Sequence, residues 1–240
     1  LGSREWWYHA GKTFYGHLVG DKGNGAKPVI SKYKINVPNS DNNYGLLGKV
    51  NNGEISNIGV SNVEMTLVAN IGSALRAGVF IGQIENGTLV EGCSAEKITI
   101  NTIGFEDKQI CCGGLIGKAL DLGSVVRNCS VKNCTINLNV EIKSNGNYGA
   151  LLGRMENACL VEECSTENIT YNSAQKLSGC NLSGMVANMQ GTNATTRSLI
   201  TRCSVNGLTY NLDGEIADKV AIGSIVCWVQ GGYNDITRCK

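Results

Sequence analysis

Short apolar runs bracketed by small residues recur along the chain about every 35 residues, each followed by a polar stretch in which apolar side chains alternate. The runs read GHLVG (16–20), YGLLG (44–48), GVFIG (78–82), GGLIG (113–117), GALLG (149–153), SGMVA (183–187) and GSIVC (223–227). Self-similarity at a fixed period marks a stacked-repeat architecture, in which each unit completes its core against its neighbours.

The stretch after each run sets the register. One column reads Ile58, Cys93, Cys129, Cys164, Cys203 and Cys239. Three residues earlier stand Ile55, Val90, Val126, Val161, Ile200 and Ile236, and two residues later Val60, Ala95, Val131, Thr166 and Val205. Five and seven residues later come pairs such as Ile98 and Ile100, or Ile169 and Tyr171. Alternation by two is a strand signature. The columns predict an all-β chain, a parallel β-helix (β-solenoid) of about seven coils with about three short strands per coil, right-handed by the usual crossover rule. At about 4.8 Å per strand the rod is roughly 30–35 Å tall. Residues 14–240 form the solenoid, with a loosely matching first copy over 28–37. Residues 1–13 form an aromatic N-terminal cap segment around Trp6 and Trp7, since bulky rings suit the closing of an open core. A sugar-stacking platform is the rival role for the same rings.

Composition narrows the partners. A net charge of +1 with no charge run excludes a nucleic-acid footprint, and no apolar stretch is long enough for a membrane span. Gly is abundant at 31 and Pro is rare at 2, as expected of ladders joined by tight corners. Eleven Cys and only two His, with no zinc spacing, give no reason to expect a metal or any other cofactor. The Cys column is read as buried thiols. Disulfides between successive coils are the alternative, but parallel Cβ vectors fit the required dihedral poorly. The chain starts at Leu1 and stops mid-coil at Lys240. It is expected to belong to a longer polypeptide or to associate end to end through unpaired strand edges.

The bracketed run followed by Asn-Cys-Ser, as in Gly114-Leu115-Ile116-Gly117 and Asn128-Cys129-Ser130, resembles the GLUG repeat of bacterial surface and adhesin-like proteins, over roughly residues 14–240. The resemblance implies a right-handed β-helix and an extracellular or cell-surface role. The zinc motif HExxH of the peptidases that carry such repeats in their stalks is absent, so no catalytic residue is carried over.

Candidate sites lie in what the repeat leaves free. Thr99 and Asn101, Thr135 and Asn137, Thr170 and Asn172, and Thr209 and Asn211 flank an inward residue in four coils, so they are expected to point outward in two rows. Such a hydroxyl and amide grid can meet a repetitive ligand such as glycan or ice. The plainer reading is strand and corner chemistry. Among six sequons, Asn193, Asn181 and Asn86 are glycosylation candidates. Variable segments over 103–110, 139–147, 173–180 and 213–220 leave one side of the rod, where solenoids often bind. Glu91, Glu162 and Glu163 face Arg127, Arg202 and Arg238 as a mixed-sign surface ladder. No convergent carboxylates or catalytic His indicate an enzyme. The chain is therefore read as a non-catalytic structural or adhesive module that meets protein or glycan through loops or ends. A carbohydrate-active β-helix enzyme is the alternative, and an ice-binding protein a more distant one.

Overall fold

A coil cannot cover its own apolar face, and the chain answers this by laying each turn on the one before. The computed structural model describes residues 12–21, 26–37, 43–70, 75–106, 110–121, 123–143, 146–192 and 194–240. Trp6, Trp7 and most of the expected cap lie outside the described residues.

Four parallel sheets run the length of the rod. One full turn visits them in order: Leu75–Gly78 in the first sheet, Ile81–Glu85 in the second, Leu89–Glu91 in the third and Ser94–Glu106 in the fourth. Each strand pairs in parallel with its counterpart one turn away, giving seven strands in the second and third sheets and six in the first and fourth. The chain is thus an all-β solenoid, as expected, but each turn carries four strands rather than three. The reason lies in the middle of the apolar run. Val79 and Phe80 are consecutive and both fully buried. A straight strand cannot turn two successive side chains to one face, so the run bends there and divides into two strands.

Register is constant from turn to turn. Ser94, Ser130, Ser165 and Ser204 pair in sequence, as do Ile98, Cys134, Ile169 and Leu208. Two columns of left-handed backbone make the corners. Asn57, Gly92, Asn128, Glu163, Arg202 and Arg238, one residue before the Cys column, have φ between 53° and 62°. Lys97, Asn133, Asn168 and Gly207 repeat the device inside the fourth sheet, where the ladder passes over Lys97 and Asn133. Asn and Gly tolerate this conformation, which accounts for their abundance.

The Cys column points into the core as free thiols, with Cys93, Cys129, Cys164 and Cys203 buried and Cys239 half-buried on the last turn. Each thiol reaches the preceding turn: Cys129 Sγ donates to the carbonyls of Val90 at 3.6 Å and Arg127 at 3.2 Å, and Cys164 to those of Val126 at 3.5 Å and Glu162 at 3.3 Å. Cys134 lies deeper, and burial pushes its thiol up to about 12. Around these thiols sit large side chains. Tyr171 places its hydroxyl 2.7 Å from the Ser183 carbonyl and stacks on Tyr210 at 5.2 Å between ring centroids. The last turn is uncovered: Ile222, Val229 and Ile236 are 44–48% exposed, whereas Leu182, Met189 and Ile200, their partners one turn earlier, are fully buried.

The small residues that bracket the run keep two sheets in close approach. A Cβ on Gly117 would lie 2.5 Å from the Ala77 nitrogen of the preceding turn, and one on Gly153 2.5 Å from that of Cys112. Backbone atoms cannot give way as a side chain can. Gly117→Val is therefore expected to cost about 3 kcal/mol in urea unfolding, whereas Gly232→Val, where nothing lies within 4 Å of an added Cβ, leaves the midpoint nearly unchanged. Equal shifts for the two would contradict the close-approach account.

Candidate functional site

The outward Thr and Asn rows exist as expected, and the Asn row binds itself. Thr99, Thr135, Thr170 and Thr209 pair in register along the fourth sheet, as do Asn101, Asn137, Asn172 and Asn211. The amides form a continuous file: Asn137 Nδ2 donates to Asn101 Oδ1 at 2.8 Å, Asn172 Nδ2 to Asn137 Oδ1 at 2.9 Å, and Asn211 Nδ2 to Asn172 Oδ1 at 2.9 Å. One donor and one acceptor of each inner rung are thereby used within the rod. The grid presents Thr hydroxyls at about 4.8 Å spacing, half-buried except at Thr209, which is exposed.

The mixed-sign ladder forms at Arg127 and Arg202, whereas Arg238 has no carboxylate within ion-pair distance among the described residues. Arg127 Nε lies 3.0 Å from Glu91, and Arg202 pairs with both Glu162 and Glu163. Of the sequons, Asn86 sits exposed in a corner at φ 52°, and Asn181 donates to Asn147 Oδ1 at 2.8 Å. Asn193 lies outside the described residues.

A polar face that sequence reasoning missed runs along the second sheet. Lys49, Gln83, Lys118, Arg154, Asn188 and Trp228 form one column, and the residue after each, from Val50 to Met189, is buried in the core, with Val229 continuing that row on the uncovered last turn. Asn51, Glu85, Glu156, Gln190 and Gln230 belong to the next outward column. Several of these groups are nearly inaccessible: Gln83, Glu85, Lys118 and Asn188 are 4–8% exposed. Burial of this kind requires partners. Glu85 accepts from Lys49 at 2.7 Å, Asn51 at 2.6 Å and Gln83 at 2.6 Å. Glu156 binds Lys118 at 3.1 Å and also Arg154, whose Nη2 donates to Gln190 at 2.6 Å. The signal was present in the sequence: the position after the second bracketing residue is never aliphatic.

This face borders a cleft of about 1090 Å³. The first sheet contributes Asn147 and Asn181, the second Arg154, Asn188, Trp228 and Gln230. The variable segments complete the lining with Lys143, Ser178 and Asp218 to Lys219. Those segments stack as well, through single bridges linking Ile142, Leu177 and Ile216. The expected loop-bearing side is thus half of the cleft, and the missed column is the other half. Nearby, Cys111 is buried in the first sheet. Burial pushes its thiol up to about 11, against the pull of Lys118, Arg154 and Arg76. Among the described residues no three His, Cys, Asp or Glu side chains gather as a metal site.

An inner rung of the amide file makes two ladder bonds and the last rung one. Asn137→Ala is expected to lower stability by about 2 kcal/mol and Asn211→Ala by about half of that, read from urea midpoints. The reverse order would contradict the ladder. Comparison with protein-family models, with curated proteins and with solved structures gave no match, so the chain's own geometry carries the functional reading.

Proposed function

We propose that the chain is a non-catalytic solenoid module of the GLUG-repeat type, with a structural or adhesive role at a cell surface or in an extracellular assembly. It meets a protein or glycan on the side that carries the variable segments. The observation behind this reading is that the outward polar groups of the wall are joined to one another across turns. The Asn file, the Arg127–Glu91 pair and the Glu85 and Glu156 clusters all work this way. A wall built so holds register and presents a fixed surface. Its exposed last-turn residues Ile222, Val229 and Ile236 also suit the stacking of a further turn, from the same polypeptide or another.

A second reading, a carbohydrate-active enzyme, has one observation in its favour. Glu85 pairs in register with Leu120, and Glu156 continues that column one turn further. Two turns are about 9–10 Å, near the carboxylate separation of inverting glycosidases. Both carboxylates, however, are held by Lys or Arg partners, and neither is among the residues that line the cleft, whereas glycoside hydrolysis needs the pair to flank the scissile bond. Incubation of the chain with acidic and neutral polysaccharides is expected to release no reducing ends and no unsaturated products. Release that disappears in both Glu85→Gln and Glu156→Gln would install the enzyme reading instead.

A further inference from the structure

We propose that the cleft beside the second sheet is a subsite for an acidic saccharide, which stacks a sugar ring on Trp228 and sets its anionic group between Lys219 and Lys143. This rests on the reading of the chain as a ligand-binding module rather than an enzyme. It adds the chemical class of the ligand and the residues that hold it.

Three observations converge. The first is order along the rod. Arg154, Asn188 and Trp228 occupy one column in three successive turns. They therefore set an amide and an aromatic face on adjacent turns, with the ion-paired Arg154 one turn further, over roughly 10 Å, about the length of a disaccharide. Trp228 is 47% exposed at a position where every other turn has a polar side chain. An indole on an outward wall amid amides is suited to the C–H face of a pyranose, which is apolar on the ring and polar at its rim.

The second is an unmet hydrogen bond. Asn188 is 4% exposed, and its Oδ1 has no partner among the described residues, although it lines the cleft. A buried acceptor left empty is costly, so the position selects a ligand that brings a donor. A sugar hydroxyl does.

The third is charge. The cleft wall carries Lys143, Arg154 and Lys219 against Asp218 alone. Arg154 is already committed to Glu156 and Gln190. Lys143 and Lys219 have no carboxylate partner within salt-bridge distance among the described residues. The surplus is positive and shares the cleft lining with the indole, which suits a ligand whose stacked ring carries a carboxylate or sulfate. A nucleic acid also combines anion and stacking, but it calls for a track of cations and several aromatic faces. Here there is one aromatic residue and a net charge of +1.

The test is titration of the whole chain, followed by tryptophan fluorescence and calorimetry. The ligands are an oligogalacturonate, its fully methyl-esterified neutral form, a sulfated oligosaccharide and a single-stranded oligonucleotide. Expected is binding of an anionic saccharide and at least tenfold weaker binding of the neutral form. The stronger of the carboxylated and sulfated ligands identifies which anion the lysines prefer. Trp228→Ala and the double variant Lys143→Gln/Lys219→Gln should each weaken that binding at least tenfold, while Trp228→Phe retains most of it. These side chains lie at the surface, and an unchanged urea midpoint verifies each fold. Equal binding of the neutral form, equal binding of the oligonucleotide, or no loss in the variants overturns the subsite. Absence of any binding also overturns it and leaves the scaffold reading intact. Recovery of shortened saccharide after binding overturns the scaffold reading instead.

Discussion

Each turn of this chain owns only half of its core, and everything else in the structure follows from the need to borrow the other half. A turn that has Ile98 and Ile100 facing inward is stable only if Cys134 and Ile136 arrive above them in the same register. A slip of one residue sends the apolar set to the outside. The chain guards against this with devices that act across turns. Left-handed corners fix where the chain changes direction. Thiols of the Cys column reach the carbonyls of the turn before. The amide file counts turns along one edge of the fourth sheet. Each contact contributes about 1 kcal/mol or less, yet each recurs at nearly every turn and all specify the same register.

The same constraint explains why polar groups appear so deep in the second sheet. Bending the apolar run outward brings the first and second sheets together, close enough that Gly117 and Gly153 leave no room for a Cβ. Outward side chains near that crease lose solvent although they are not core. Lys118, Gln83 and Asn188 are buried for this reason. Charge pairing makes most of them tolerable; Asn188 Oδ1 is a member left without a partner. The architecture thus generates a polar cleft as a consequence of its turn geometry, and individual substitutions such as Trp228 set what the cleft accepts.

What the sequence revealed depended on whether a column kept its residue type. The Cys column and the Thr-x-Asn rows repeat the same letters, so fold, period and register were legible. The division of the run into two strands was not, because two consecutive apolar residues such as Val79 and Phe80 carry no period-two signal. The second-sheet column stayed hidden for a different reason. Lys, Gln, Lys, Arg, Asn and Trp share an outward direction but no chemistry, so matching by residue type passes over them. The cleft lies further still from view, since Lys143, Arg154, Asn188, Lys219 and Trp228 come from three turns and two kinds of wall. Glu163, Arg202 and Arg238 at positive φ were likewise unreadable. These residues disfavour that conformation, and ion pairing offsets part of its cost for Glu163 and Arg202.

The central claim is that turns are interchangeable units locked by register. Cys111 and Asn147 occupy equivalent positions in adjacent turns, so removal of residues 111–146 joins Ile110 to Asn147 with every column preserved. Circular dichroism with urea unfolding of that shortened chain, beside one lacking residues 111–128, tests the claim most directly. A cooperative β-sheet transition with a smaller denaturant slope is predicted for the full-turn deletion, and loss of cooperative folding for the half-turn deletion. Equivalent behaviour of the two deletions, folded or unfolded, would contradict it.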